Sequence, residues 1–234
     1  MEHHVLRPVH SPPTSSAHQL TGPASGSYVA DFFHGVTTRT NSWPPGRRDL
    51  HWHLIPDAAT VRTHLSGPYS SIIHRPGLGP VAPQWAHVTV LHSGPVEEFL
   101  PGEVEAVTER VRRCLVSMPP IELTFDRPSV GGVAVECAGR PGAAARRLWE
   151  VTAAATAAVV GDRFPLIPAQ FYPHLSLAYG TGGAVADRRE MKALLSDRPG
   201  EPLTMRFDQL SRVEQWHDMR SIRWSNRLDL PLAG

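Results

Sequence analysis

The chain contains little cysteine and almost no net charge. Cys114 and Cys137 are its two cysteines, and neither belongs to a C-x-x-C motif. This usage gives no disulfide framework and is typical of free thiols in a reducing compartment. The formal net charge of +1 excludes a global positive field that would hold a long nucleic acid, although a local basic groove can still exist.

Long apolar runs are also missing from the sequence. No segment reaches the ~18 apolar residues that a membrane span requires, and the N-terminus lacks the apolar core of a signal peptide. Hydrophobic residues make up 41% of the chain and charged residues 19%, which is typical of a globular protein with a substantial core. We therefore expect a soluble cytoplasmic monomer, with no membrane partner and no protein partner implied.

The first 46 residues lack the periodicity of regular structure. The segment "HSPPTSSAHQLTGPASGS" is rich in proline, serine and glycine, and five of the 13 histidines lie before residue 47. This composition predicts an N-terminal segment at 1–46 that is flexible or lies over the body of the protein. We place a two-lobed domain at 47–234. Metal binding by the early histidines is a weaker interpretation than a solvated tail.

The rest of the chain alternates between strand and helix patterns, and the order occurs twice. Strands are predicted at 50–55, 87–91, 121–125, 132–138, 174–179 and 203–208. Helical patterns occupy 101–117, 142–160 and 185–196, with a partly helical segment at 57–74. Two further strands, at 210–216 and 222–232, are expected to pair and close a sheet. Both halves thus follow a β-α-β-α-β order, which indicates a diverged duplication.

Two of the predicted strands carry the same polar pair. His87 and Thr89 lie in "AHVTVLH", and His174 and Ser176 lie in "YPHLSLAYG", 87 residues further along the chain. Strand alternation places each histidine and its hydroxyl partner on one face, with apolar neighbours on the other. A third match, "HLSGP" at 64–68, lies in a helix-like segment and runs into a Gly-Pro turn signal, so we interpret it as a coincidence.

The paired strands suit phosphoryl transfer if their polar faces meet across a cleft. A neutral imidazole can accept a proton from a nucleophile while a protonated one donates to a leaving oxygen. The hydroxyls of Thr89 and Ser176 can donate to the non-bridging phosphate oxygens as charge develops there. This chemistry needs no metal and no organic cofactor, so we expect neither.

The motifs "PQWAHVTVL" and "FYPHLSLAYG", with the duplicated order around them, resemble the two-histidine (2H) phosphoesterase superfamily. That superfamily includes 2′,5′ RNA ligase-like proteins and cyclic nucleotide phosphodiesterases, and the resemblance covers roughly residues 48–232. It implies an α+β fold that is bilobal, with duplicated β-α-β-α-β halves and two mostly antiparallel sheets facing a central cleft. It also implies metal-independent chemistry on 2′,3′-cyclic phosphates or 2′,5′ linkages. The catalytic positions fall on His87, Thr89, His174 and Ser176.

Other residues are candidates for substrate contact. Tyr172 and Tyr179 flank the second motif, where either could stack on a base or hydrogen-bond a phosphate, and a packing role is equally compatible with each. His51 and His53, in "HWH", share one strand face. We assign them a core or cleft-lining role, with His53 able to touch substrate. Alternation places His92 in the opposite phase from His87, near a strand end.

Three functions remain open at this point. The first is a metal-independent phosphodiesterase that acts on 2′,3′-cyclic phosphates of nucleotides or RNA ends, or on 2′,5′ linkages. The second is a non-catalytic protein that binds nucleotides or RNA ends in the same cleft. The third is a metallohydrolase built around His51 and His53, whose spacing can hold a metal. In the first two, the partner is a nucleotide or an RNA end.

Overall fold

The structure is a computed structural model that describes residues 26–198 and 200–233. One sheet, which we name sheet I, has four antiparallel strands in the order β10-β9-β1-β3. Its strands are β1 (Asp49–Leu54), β3 (Val88–Pro95), β9 (Gln209–His217) and β10 (Ile222–Pro231). The predicted pairing of the last two strands is confirmed, since β9 and β10 are antiparallel neighbours.

Sheet II has six strands, with β2-β7-β6-β4-β8 in order and β5 beside β6. These strands are β2 (Leu78–Pro80), β4 (Ile121–Phe125), β5 (Ser129–Val130), β6 (Ala134–Arg140), β7 (His174–Gly180) and β8 (Leu203–Phe207). All pairings in both sheets are antiparallel. The predicted motif strands therefore lie in different sheets, β3 in sheet I and β7 in sheet II.

The helices are α1 (Phe32–Thr38), α2 (Ala58–Thr60), α3 (Ser70–Ile73), α4 (Glu103–Leu115), α5 (Ala143–Val160) and α6 (Arg188–Ser196). A π-helical turn, Val61–Ser66, continues α2, and 3₁₀ turns lie at Pro83–Trp85 and Val96–Glu98. No helix within the described ranges is both long enough and apolar enough to cross a membrane.

The long helices form where the sequence gives one apolar face. In α4, Val107, Val111 and Leu115 recur at four-residue spacing, and all three are fully buried. This helix packs on α5, which in turn packs on β3. The two helices therefore cover the outer face of sheet I and leave its other face free to line the cleft.

The α+β fold with two antiparallel sheets is confirmed, but the halves of the sequence do not correspond to the two lobes. Strand β4 comes from the first half and joins sheet II, where it pairs with β8 and β6. Helix α5 comes from the second half and packs on sheet I, to which the terminal strands β9 and β10 also belong. Each lobe is thus built from both halves, so the two lobes cannot separate as independent units.

Residues 28–46, which we name the N-terminal strap, connect lobe II, which contains sheet II, with lobe I, which contains sheet I. The strap begins on lobe II, where the backbone N–H groups of Val29 and Ala30 donate to the carbonyls of Ala186 and Gly132. It ends on lobe I, where Gly46 N–H donates to the carbonyl of His217. Between these points lies α1.

The sequence predicts that the segment 1–46 is flexible or lies over the body of the protein, and in the structure residues 26–46 are packed against that body. Phe33 is fully buried and Trp43 is 4% exposed, because both pack around the buried ring of His217. The packed region therefore begins near residue 28 rather than at 47. Sequence patterns missed it because α1 is only seven residues long and its burial depends on partners far along the chain. Residues 1–25 lie outside the described residues.

Candidate active site

A cavity of about 270 Å³ lies between the two sheets, and the paired motifs line it. Strand β3 begins just after His87 and strand β7 begins at His174, so each histidine stands at the start of its strand. The four predicted catalytic residues all face this cavity: His87, Thr89, His174 and Ser176. Their apolar neighbours Val88 and Leu175 are fully buried on the opposite faces. The structure thus brings the four residues together as strand alternation predicted.

Both histidine rings are held in the same way. Nδ1 of His87 lies 2.8 Å from the carbonyl oxygen of Trp85, and Nδ1 of His174 lies 3.2 Å from that of Tyr172. Because a carbonyl can only accept, Nδ1 must carry the hydrogen in each ring. The remaining nitrogen, Nε2, is then the one available for proton transfer. In each case the carbonyl belongs to the residue two positions earlier, which gives the duplicated motifs one common geometry.

The environment of His87 keeps its ring neutral at physiological pH. Burial is the main cause, and a charge on His174 acts in the same direction, so the pKa of His87 falls to about 4 despite the opposing hydrogen bond to Trp85. His87 and His174 line the same cavity, so a charge on His174 acts on His87. A neutral imidazole in a partly enclosed cavity is suited to accept a proton.

Tyr172 and Tyr179 both line the cavity but differ in exposure. Tyr172 is 56% exposed, and its ring stacks on His174 with centroids 4.7 Å apart. Its hydroxyl donates to Glu136 over 3.4 Å. Tyr179 is buried and packs against Phe32, with centroids 4.4 Å apart. Burial raises the pKa of both phenols to about 12, so neither is an acid or base near neutral pH.

The predicted substrate contact of His53 does not agree with the structure. His53 has no exposed surface, and its ring stacks behind His87 with centroids 4.2 Å apart. Trp224 packs edge-on against both rings. Burial lowers the pKa of His53 well below its ordinary value, with a charge on His87 adding to the effect. His53 therefore supports the position of His87 and cannot reach a molecule in the cavity.

A β-bulge changes the predicted direction of His92. In the β1–β3 pairing, His53 is opposite Thr89 while Trp52 is opposite Leu91, so Val90 is an extra residue in β3. The bulge reverses the alternation beyond Val90 and turns His92 towards the cavity. The prediction of an opposite phase at a strand end was wrong, because alternation was counted without the bulge.

His92 connects the cavity to a buried ion pair. Its Nε2 lies 2.7 Å from Oδ2 of Asp49, although the two groups lack the alignment of a regular hydrogen bond. Arg47 binds the same carboxylate at 2.7 Å. Burial acts to raise the pKa of Asp49, but its contacts with His92 and Arg47 outweigh burial and lower it. Asp49 is thus a fixed negative charge behind His92.

Several further cavity residues were not predicted from the sequence. Glu136 faces the cavity from β6, directly opposite Ser176 in β7. Its charge inside the apolar strand "GVAVECA" was a signal for a cleft-facing position. Gln215 of β9 and the strap residues Arg39 and Trp43 also line the cavity. The strap residues left no signal, because they lie outside any periodic pattern.

The geometry does not assemble a metal site from the histidines of "HWH". The rings of His51 and His92 are stacked in parallel with centroids 4.5 Å apart, and the ring of His53 is at 67° to that of His51. Among the described residues, no group of three or more His, Cys, Asp or Glu side chains is arranged to hold a metal ion. The third His-x-Ser match is also separate from the site: His64 is exposed on the π-helical turn after α2.

The comparisons with known proteins agree with the motifs and the fold. The sequence model described as the 2′-5′ RNA ligase superfamily matches residues 57–218, which include both histidine motifs. The chain therefore belongs to this family, which is part of the 2H phosphoesterase superfamily. Membership supports an enzyme with phosphodiesterase-type activity. No match is found among curated protein sequences.

Solved structures show the same fold at low sequence identity. TT0787 of Thermus thermophilus has a TM-score of 0.60 and 15% identity, covering 78% of this chain and 97% of that protein. Escherichia coli LigT in complex with 3′-AMP has a TM-score of 0.57 and 18% identity, covering 79% of this chain and 98% of LigT. LigT has also been crystallised with ATP, and that structure gives a TM-score of 0.57 at 17% identity, covering 79% of this chain and 99% of LigT.

Proposed function

We propose that this protein hydrolyses 2′,3′-cyclic phosphates of nucleotides or RNA ends by two-histidine acid–base catalysis without a metal. The observation that carries the proposal is the shared geometry of His87 and His174. Each ring donates from Nδ1 to a backbone carbonyl two residues earlier and keeps Nε2 for the same cavity. Two proton-transfer groups and two hydroxyls around one cavity are what an in-line displacement at phosphorus requires.

The lowered pKa of His87 assigns the roles in this proposal. His87 is neutral at physiological pH, so its Nε2 accepts a proton from water. The water oxygen forms a bond to phosphorus, and the bond from phosphorus to one ribose oxygen breaks. Protonated His174 donates its Nε2 proton to that departing oxygen. The hydroxyls of Thr89 and Ser176 donate to the non-bridging oxygens, where negative charge increases in the transition state.

Nucleotides are the proposed substrate class for two reasons. The cavity volume of about 270 Å³ suits a small ligand, and aromatic side chains such as Phe32 and Tyr172 line it beside the hydroxyls. The related LigT is a protein whose structures contain 3′-AMP and ATP. Linkages of the 2′,5′ type are a second substrate for the same chemistry, because they present the same ribose oxygen as a leaving group.

Turnover of a substrate panel in the presence of a chelator tests the proposal. The panel contains 2′,3′-cyclic nucleotides, 2′,5′-linked dinucleotides and RNA ends that carry a cyclic phosphate. We expect hydrolysis that the chelator does not reduce. His87→Ala and His174→Ala should each lower kcat by at least ~100-fold, the usual effect of losing a general acid or base. The double variant should be little worse than either single one, because the residues act together.

His64→Ala is the matched control, since it changes a histidine of the same short pattern outside the cavity. It should retain wild-type activity. Full activity in His87→Ala or His174→Ala would rule out the two-histidine mechanism. Loss of activity with the chelator would instead favour the metallohydrolase, and tight nucleotide binding without any turnover would favour the non-catalytic binding protein.

A further inference from the structure

The part of the cavity beyond Thr89 contains two buried polar side chains with atoms that have no hydrogen-bond partner in the described part of the chain. His51 is 5% exposed and Gln215 is 3% exposed, and both line the cavity. Among the described residues, neither ring nitrogen of His51 has a hydrogen-bond partner. Oε1 of Gln215 also lacks one. Buried polar atoms are normally paired, because leaving them unpaired costs free energy. Such atoms in a cavity wall therefore point to a ligand.

This group is separated from the catalytic residues by a defined distance. His51 is opposite His92 in the β1–β3 pairing, and Gln215 is opposite Asp49 in the β1–β9 pairing. Because Thr89 is opposite His53 and Val90 is bulged, the position of His51 lies only two β1 residues from that of Thr89, or about 7 Å at roughly 3.3 Å per residue. A molecule with its phosphate between the two catalytic histidines would therefore reach His51 with a group attached to its ribose.

The ring of His51 is held rigidly. It stacks on His92 with centroids 4.5 Å apart and an angle of 10° between the planes, and Trp43 of the strap packs against it at 5.7 Å. The apolar side chains of Val36 and Ile167 line the same cavity. A flat ligand would thus meet apolar walls and a fixed polar edge, which is the usual arrangement of a small-molecule subsite.

The chemistry of the unpaired atoms identifies the kind of group that fits. Burial, together with neighbouring imidazoles, lowers the pKa of His51 well below its ordinary value, so the ring is neutral. A neutral imidazole presents one donor and one acceptor whichever tautomer it adopts. An ionised phosphodiester has acceptors only, so as a ligand it would leave the acceptor nitrogen of His51 unpaired. The edge of a nucleobase offers both donors and acceptors.

We propose that His51 and Gln215 form a subsite that hydrogen-bonds the edge of the substrate's nucleobase. The proposal rests on the proposed function, in which the substrate is a nucleotide, and adds that the base contributes to recognition. His51 and the strap residue Trp43 precede the part of the chain that matches the family, residues 57–218. The subsite therefore depends partly on a segment outside the matched region, and it selects nucleotides over simple cyclic phosphodiesters.

The test compares substrates with and without a base. The four 2′,3′-cyclic nucleotides and the base-free 1-O-methylribose 2,3-cyclic phosphate are assayed with wild type, His51→Phe and Gln215→Met. Both substitutions keep the approximate size of the side chain and remove its hydrogen-bonding groups. Gln209→Met is the control, because it makes the same change in the same strand at a residue that does not line the cavity.

We expect wild type to prefer at least one nucleotide over the base-free compound by tenfold or more in kcat/KM. Each variant should lose about tenfold on that nucleotide, the usual effect of one buried hydrogen bond, and should match wild type on the base-free compound. The control should match wild type on both. A wild type that does not distinguish the two substrates, or variants that lose activity equally on both, would overturn the inference.

A binding measurement separates this inference from the proposed function. If wild type hydrolyses none of the compounds, the proposed function fails, and calorimetric titration with nucleoside 3′-monophosphates decides the inference. Base-dependent binding that His51→Phe and Gln215→Met weaken by about tenfold would support the subsite. Binding equal to that of 1-O-methylribose 3-phosphate, or no binding at all, would refute it.

Discussion

At the scale of single residues, the environment of His87 determines the pH range of the proposed reaction. Its ring must be neutral to accept a proton, and burial lowers its pKa to about 4. The fraction of neutral His87 therefore stays high until the pH falls well below the ordinary imidazole range. If His87 is the base, activity should persist in mildly acidic solution.

We predict that the acid limb of kcat/KM for a 2′,3′-cyclic nucleotide lies near pH 4, about 2.5 pH units below that of an ordinary histidine. The alkaline limb should follow loss of the proton that His174 donates. Initial rates are measured from about pH 3 to 9, with circular dichroism at each pH to confirm that the protein is folded. An acid limb near the ordinary value of about 6.5 in folded protein would mean that His87 is not the base.

Glu136 places a negative charge beside the proposed phosphate position. It lies opposite Ser176 across the β6–β7 pairing and faces the same cavity. A carboxylate close to a bound phosphate repels it, and the cavity screens this repulsion less than bulk water does. We therefore expect Glu136 to limit the affinity for products and inhibitors that carry an additional negative charge.

We predict that Glu136→Gln lowers the inhibition constant of inorganic phosphate by about tenfold, the size expected for one partly screened charge interaction. Glu122→Gln, on the exposed face of β4 in the same sheet, is the control and should leave the constant unchanged. Weaker inhibition in Glu136→Gln would indicate that the carboxylate binds the phosphate through a shared proton or through another group.

At the scale of elements, the N-terminal strap connects the two lobes and lies outside residues 57–218, which match the family. Gly180, at the end of β7, allows its close approach, because a Cβ atom there would collide with the carbonyl oxygen of Ala30. The strap then places Phe32 and Val36 in the cavity wall and inserts Phe33 between Tyr179 and His217. Its docking is thus linked to the shape of the cavity.

We predict that Phe33→Ala loosens the strap and lowers the free energy of unfolding by about 3–5 kcal/mol, the usual cost of removing a buried aromatic ring. Cleavage by trypsin after Arg39 should become faster, and KM should rise because part of the cavity wall is lost. Urea unfolding and limited proteolysis measure these effects. His34→Ala, an exposed residue of the same helix, is the control. Unchanged stability and cleavage in Phe33→Ala would show that the strap does not depend on this side chain.

At the scale of the whole molecule, buried neutral histidines make stability depend on pH. Burial is the main cause that lowers the pKa of His51, His53 and His87. Below the ordinary imidazole pKa of about 6.5, the unfolded chain binds protons at these residues while the folded protein does not. The contribution of these three neutral histidines to the free energy of unfolding is therefore complete above that pH. It decreases as the pH falls towards their lowered pKa values. Ordinary carboxyl groups titrate near pH 4, so between about pH 6.5 and 5 the histidines dominate this dependence.

We predict that the free energy of unfolding decreases by about 1 kcal/mol per pH unit for each of these histidines between about pH 6.5 and 5. Urea unfolding at a series of pH values measures the slope. His53→Phe keeps a ring against His87 but removes one titrating group. The slope of its free energy of unfolding against pH should therefore be shallower by about 1 kcal/mol per pH unit. His64→Phe, at an exposed position, should keep the wild-type slope. Equal slopes in wild type and His53→Phe would contradict the prediction.

The sequence by itself determined the local structure and the paired motifs. Alternation placed His87 with Thr89 and His174 with Ser176 on polar strand faces, and the apolar stripe of α4 predicted its helix. These features depend on residues two to four positions apart, where backbone geometry fixes which side chains share a face. The α+β fold and the two antiparallel sheets followed from the order of such elements and the family resemblance.

Only the tertiary structure decided how distant elements share one cavity. The bulge at Val90 turns His92 inward, the stack behind His87 removes His53 from the cavity, and Phe33 is buried by partners from both lobes. The sequence also does not indicate that β4, from the first half, joins sheet II, or that α5, from the second half, packs on sheet I. The physical reason is that register shifts, ring stacking and burial depend on which surfaces meet. Residues far apart in the chain determine those contacts, and periodicity within one segment carries no information about them.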